Sequence, residues 1–351
     1  MRTPRIILDD GACAYHCVSR VVGQERIFTD AFKEKIQDII IASAHIHGVH
    51  LINWICMSNH IHILALIPGD ELQEPLTRKS LLKSAETLYS AGYVSDLKQK
   101  FERAEKLSDD KAKQQAIQRV FDPYERRRGN LSEFMKEVKQ RTSRYVNKQL
   151  KRSGTLWDGR FKSPIVECTA DAILAVSTYI DLNAVRAGIV DRPEKYRWCG
   201  YSAALAGNKV ARKGLASIYA ISQGNSEIPT WASVQSQYRQ YLFERGLEVM
   251  ADETNGFKGR RGFSAEEVEQ EIKRRGVLPL HEVICHRVRY FSDGVVIGSS
   301  SFVEQVFQAH RERLVSPDSR RNTGARKMRG ANWGSLTTLR DLRENVIGLP
   351  S

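Results

Sequence analysis

The hydrophobic and polar positions near the start of the chain change period several times. Ala14-Tyr-His-Cys-Val-Ser-Arg20 alternates, which predicts a strand with Tyr15, Cys17 and Ser19 on one face and His16, Val18 and Arg20 on the other. Thr29-Asp30 is a helix start signal, and Phe32, Ile36, Ile39 and Ile40 then recur at helical spacing to about His45. Two more strands are predicted near 49–56 and 60–67, joined by the short turn Met57-Ser-Asn59. Residues 71–123 are polar and spaced like an inserted pair or trio of helices. A strong helix is predicted from Leu131 to about Leu150, with Leu131, Phe134, Val138, Tyr145 and Gln149 on one face. Ser163–Thr169 predicts a fourth strand, where Pro164 marks an edge or a strand start, and Asp171–Leu182 a further helix. The resulting β-α-β-β-α-β order is ferredoxin-like, and the predicted fold class is α+β.

Beyond about residue 208 the pattern loosens. The expected organisation is a first domain over 1–208 with a helical insertion at about 71–129. A connecting segment over 209–254 and a basic, mainly helical accessory domain over 255–351 follow. The connecting segment holds an aromatic helix near 231–247, and the accessory domain has helix starts at Ser264 and after Gly298-Ser-Ser-Ser301.

Composition narrows the function. At 351 residues, 41% hydrophobic and 27% charged, the chain is of globular type. No apolar run approaches the ~18 residues of a membrane helix, and no signal-peptide stretch follows Met1. A cytoplasmic, nucleoid-associated protein with no membrane partner is expected. Six cysteines without a C-x-x-C pair argue against a zinc ribbon or a disulfide framework. Lys and Arg number 54 against 41 Asp and Glu, a net charge of +13, which predicts a polyanionic partner such as nucleic acid. Residues 124–152 alone hold ten basic and three acidic residues, and 311–343 hold nine and three. The second run suggests an auxiliary DNA clamp. His281 and His286 are assigned no metal.

Two features carry candidate chemistry. His60 and His62 stand at i and i+2 of a strand and project together, an arrangement that suits a divalent metal. Tyr145 lies on the basic helix, and Gln149, one turn on, could complete a metal site beside it. A phenol is a poor nucleophile at its free pKa, but attack on a phosphodiester is eased when a metal withdraws charge from the phosphate. Histidine plus amide oxygen suits Mg²⁺ or Mn²⁺. Arg160 and Lys162, beside Trp157 and Phe161, suit single-stranded DNA, with Trp157 in the core. Arg20 could reach the same groove, and Lys139, Arg144 and Lys148 are further DNA-binding candidates on the tyrosine helix.

Five stretches in order resemble the single-tyrosine HUH transposases of bacteria, in particular the REP-associated tyrosine transposases. They are Tyr15-His-Cys-Val-Ser-Arg20, Met57-Ser-Asn-His60-Ile-His62-Ile-Leu64, Phe134 to Asn147, Gly154-Thr-Leu-Trp157 to Ser163, and Tyr179-Ile-Asp-Leu-Asn183-Ala-Val-Arg186-Ala-Gly188-Ile-Val190. The resemblance implies that His60 and His62 bind metal and that Tyr145 is the nucleophile. Gln149 falls where some members carry a third ligand. It further implies cleavage of single-stranded DNA beside hairpin-forming repeats, through a 5′-phosphotyrosine and a free 3′-hydroxyl. The insertion after Pro68 and the long C-terminal extension depart from the usual pattern and leave a homodimer open. The competing readings are a ferredoxin-like nucleic-acid-binding regulator without catalysis and a metal-dependent hydrolytic nuclease.

Overall fold

The computed structural model describes residues 13–68, 75–223, 227–248, 261–272, 296–311, 326–327 and 336–338. The runs at the ferredoxin-like positions fold as their periods dictate. These are β1 (Cys13–Arg20), α1 (Asp30–Ile46), β2 (His50–Cys56) and β3 (His60–Ile67). After the insertion come α5 (Leu131–Gln149), β4 (Ile165–Val166) and α6 (Ala170–Asp181). Thr29 caps α1 by accepting from the Phe32 N–H, as its side chain suggested. Asn130 caps α5 from its own Oδ1, which accepts from the Ser132 and Glu133 N–H groups. Pro164 sits just before β4, and its carbonyl accepts from the His16 N–H.

Strands β2-β3-β1-β4 lie side by side and antiparallel, which is the ferredoxin-like order and matches the expected α+β class. The sheet then continues through β5 (Val296–Gly298), β7 (Thr337–Thr338) and β6 (Arg326–Lys327). β4 is therefore an interior strand, paired in parallel with β5.

The register decides which side chains share a face, because directly opposed residues of an antiparallel pair point the same way. His60 opposes Arg20, His62 opposes Val18, and Leu64 opposes both His16 and Asn53. Those residues form one face. Trp54 opposes Ile63, so Trp54, Ile61 and Ile63 form the other. Both faces are covered. Trp54 Nε1 donates to Gln37 of α1 at 2.9 Å, and α5 packs along α1, so these two helices cover the Ile61–Ile63 face. Asn53 Nδ2 donates to Ser177 Oγ at 2.8 Å and Asp181 Oδ2 at 2.9 Å, both on α6, so α6 covers the histidine face.

The insertion forms three helices, α2 (Arg78–Leu88), α3 (Ala91–Glu105) and α4 (Asp110–Glu125). Their apolar stripes meet the outer side of α1. Leu81, Leu88, Leu97 and Phe101 pack with Ile39, Ala42 and Ile46 as a second small core. After α7 (Asn183–Arg186) and α8 (Gly200–Leu205), the stretch expected as a connecting segment is built as α9 (Lys209–Gln223) and α10 (Trp231–Arg245). It does not act as a linker. Leu215, Ile218, Tyr238 and Leu242 join the main core, and α9 packs on β2. A Cβ at Gly214 would run into the Leu51 and Ile52 carbonyl oxygens, so the close approach of α9 to β2 requires glycine there. The helices α11 (Ala265–Ile272) and α12 (Ser300–Ala309) follow. His281, His286 and most of the basic run 311–343 lie outside the described residues.

Candidate active site

His60 opens β3 at the end of the Met57–Asn59 turn. Asn59 anchors that turn by donating from Nδ2 to the Gln24 carbonyl at 2.8 Å, which leaves its Oδ1 as an acceptor 2.6 Å from His60 Nδ1. The His60 Nδ1 is therefore the donor of this contact, and Nε2 is the ring nitrogen turned away from Asn59. His62, 1% exposed, sits two residues on. Its Nδ1 lies 2.9 Å from Nε2 of the buried His16, and the two rings stack at 5.0 Å. The His60 and His62 rings are also 5.0 Å apart, nearly perpendicular. Burial, followed by His60, His16 and Arg20, holds His62 well below its ordinary pKa, so it is neutral. The His62 imidazole is thus in the form that a divalent metal requires, and His16 stands behind it as the partner that orients the ring. Among the described residues, no group of three or more His, Cys, Asp or Glu could hold a metal ion. The pair would need other oxygen donors to complete a site.

The tyrosine beside this pair is Tyr179. Its ring lies 5.8 Å from His62 and 5.8 Å from His16, edge-on to both. It is half-buried, and the Arg186 guanidinium carbon stands 5.2 Å from its ring centre. A buried polar network locks α6 at this angle. Asp181 accepts from Asn53, from the Tyr238 hydroxyl at 2.6 Å and from the Tyr201 N–H, and Ser177 bonds the same hydroxyl at 2.8 Å. Burial raises Asp181 to about 6 against the pull of these donors. Ser177 and Asp181 grip β2 with one flank of α6, and Tyr179 projects from the other flank over β1 and β3.

The candidates predicted from sequence divide between the two sheet faces. Arg20 opposes His60, and Lys162 bridges to Val18, so both share the face of the histidine pair. Both are exposed at its edge. Tyr145 is not brought to the histidines. Its ring meets Phe32 of α1 edge-on at 5.8 Å, on the opposite face of the sheet. Gln149, one turn further along α5, is exposed at the end of that helix, as are Arg144 and Lys148 on its outer side. Lys139 donates to the Gly159 carbonyl at 2.6 Å, and its own carbonyl accepts from Trp157 Nε1, so it ties α5 to the 154–163 loop. Trp157 is buried as expected, and Arg160 is exposed on that loop.

Sequence reading did not single out Tyr179, which packs beside His62, or Arg186, which stands over the Tyr179 ring. The signal was present, since Tyr179 opens the stretch that ends at Val190. Its neighbours Val176 and Ile180 made it look like one more packing aromatic.

Residues 11–96 match the family model described as transposase IS200 like. The match takes in β1, α1, β2, β3 and the start of the insertion. A solved structure titled as a REP-associated tyrosine transposase bound to a REP hairpin is similar at 14% identity and a TM-score of 0.37. The alignment covers 59% of this chain and 87% of that one. No curated protein matches. No helix among the described residues is long and apolar enough to cross a membrane.

Proposed function

We propose that this chain is a transposase-type enzyme that cuts and rejoins single-stranded DNA by transesterification, with Tyr179 rather than Tyr145 as the nucleophile. The observation that carries this reading is the packing of the Tyr179 ring on His62, on the face that also presents His60, Arg20 and Lys162. The family match over residues 11–96 supports DNA as the material processed. His60 and His62 would hold the divalent ion, Mg²⁺ or Mn²⁺, with nitrogen donors favouring Mn²⁺. The chemistry such an ion would supply is withdrawal of charge from the phosphate under attack.

The remaining work falls to side chains of the protein. Arg20 and Lys162 bind phosphates that flank the scissile one. Tyr179 gives its proton to solvent, with the Arg186 guanidinium standing over its ring. The phenolate oxygen attacks phosphorus, the bond from phosphorus to the 3′ oxygen breaks, and that oxygen takes a proton from water. The products are a 5′-phosphotyrosine and a free 3′-hydroxyl. Attack by a 3′-hydroxyl on the phosphotyrosine reverses the exchange, rejoins the strand and releases Tyr179.

The test is a denaturing gel with a single-stranded hairpin oligonucleotide from the gene's own flanks, labelled at its 3′ end, with Mn²⁺ or Mg²⁺. The expected result is label migrating with the protein, lost in Tyr179→Phe and kept in Tyr145→Phe. An adduct that survives Tyr179→Phe and disappears with Tyr145→Phe would overturn the assignment. Cleavage with no adduct in any variant would replace it with hydrolysis.

A further inference from the structure

The Tyr145 face of the molecule holds a different feature. A cleft of about 730 Å³ opens between α1, α5 and the inserted helices, lined in part by Lys35, Tyr89, Tyr93, Arg141, Arg144 and Lys148. Five of its lining side chains are basic, Arg127 being the fifth, and none is acidic. The buried Glu137 behind it offsets part of this charge through Arg141 at 2.6 Å and Arg127 at 3.8 Å. Arg141, Arg144 and Lys148 stand at i, i+3 and i+7, a single stripe along α5. Beside the stripe runs an aromatic ladder. The Arg141 guanidinium covers Tyr89 at 4.2 Å, and Tyr89 lies 4.5 Å from Tyr93. Tyr93 is pinned through its hydroxyl to Tyr124 at 2.7 Å, yet the residue is 42% exposed.

We propose that this cleft is a second binding site for single-stranded DNA, built jointly by the insertion and the core and separate from the His60–His62–Tyr179 site. Cations in a row track a phosphate backbone, and an exposed ring at the end of a stacked ladder accepts an unpaired base. A duplex, whose bases are already stacked, can use the cations but not Tyr93. The choice of DNA rests on the function proposed above, while the geometry of the cleft does not depend on Tyr179. In this arrangement the sheet separates the strand being cut from a second segment held on its far side.

The experiment uses the full chain carrying Tyr179→Phe, so that binding is read without chemistry. Affinity for a fluorescein-labelled, unstructured single-stranded oligonucleotide is measured against salt concentration. Arg144→Ala with Lys148→Ala, both at exposed positions, is expected to flatten the log–log slope by about 1.4, roughly 0.7 for each lost phosphate contact on a single strand. Lys106→Ala with Lys111→Ala, which removes the same charge outside the cleft, is expected to leave the slope alone. With 5-iodouracil in the oligonucleotide, photocrosslinks are expected at Tyr93. An unchanged slope in the Arg144/Lys148 variant, or an equal loss in the control pair, overturns the site. An equal loss for a duplex of the same sequence overturns its single-strand character. Failure of the active-site reading shows only in the adduct gel, so the two proposals fail separately.

Discussion

At the scale of the residue, the histidine pair works through its neighbours. Asn59 accepts from His60 Nδ1, and His16 Nε2 meets His62 Nδ1, so each ring is oriented with Nε2 turned away from its partner. His16→Ala is expected to weaken Mn²⁺ binding by about 10- to 100-fold, the usual loss for an outer partner of a ligating imidazole. Calorimetric titration of the purified variant measures this directly, and an unchanged affinity would remove His16 from that role. His62 shows why burial matters here. A histidine in water is half-protonated near pH 6.5, whereas this one is held neutral well below that value. Sequence could indicate that two imidazoles share a strand face, because that follows from a period of two. It could not supply the ring orientations, since Asn59 and His16 act through contacts formed only when the turn and β1 are in place.

At the scale of the element, α6 is set by Asp181. The carboxyl is fully buried and raised to about 6, above its ordinary value of 3.8. The folded state therefore holds a proton on Asp181 where the unfolded chain has released it. Its contribution to stability falls as pH rises from about 4 to about 6 and is flat above that. Asp181→Asn mimics the protonated form, so wild type is expected to lose ground against this variant across that window. Thermal melts of both proteins from pH 4 to pH 7 test the sign, and parallel curves would contradict it. Asp181→Ala is the harsher change. It leaves the Tyr201 N–H without its acceptor, at roughly 1–3 kcal/mol for a buried group left unsatisfied, while Asn53 and Tyr238 keep their bonds to Ser177. A parallel drop in adduct formation is expected, because the same network aims Tyr179.

At the scale of the whole molecule, the sheet is a partition. α1, α5 and the insertion lie on one side, and α6, α9 and α10 on the other. The second set reaches well past residue 208, where the expected domain boundary fell. Chain truncated after Asn208 loses Leu215, Ile218, Tyr238 and Leu242 from the main core and the Tyr238 hydroxyl from Asp181. That truncation is expected to unfold or melt with low cooperativity, seen by circular dichroism and limited proteolysis. A cooperative melt at the temperature of the full chain would show the 1–208 unit to be self-sufficient.

The strands and helices from β1 to α6 were readable in the chain because each carries its own period and its own caps. The histidine pair was readable for the same reason. α9 was not, since Gly214 announces a close approach without naming the partner, and only the packed β2 carbonyls identify it. The choice between Tyr145 and Tyr179 lies at the same level. Helical spacing correctly put Tyr145 near Gln149, but periodicity within a helix says nothing about which face of a sheet the helix will cover. Local sequence determines which side chains share a face of their own element. Tertiary packing decides which faces meet, because that depends on register and chain crossing summed over the whole core. That packing set Tyr179 beside His62 and turned Tyr145 toward the basic cleft.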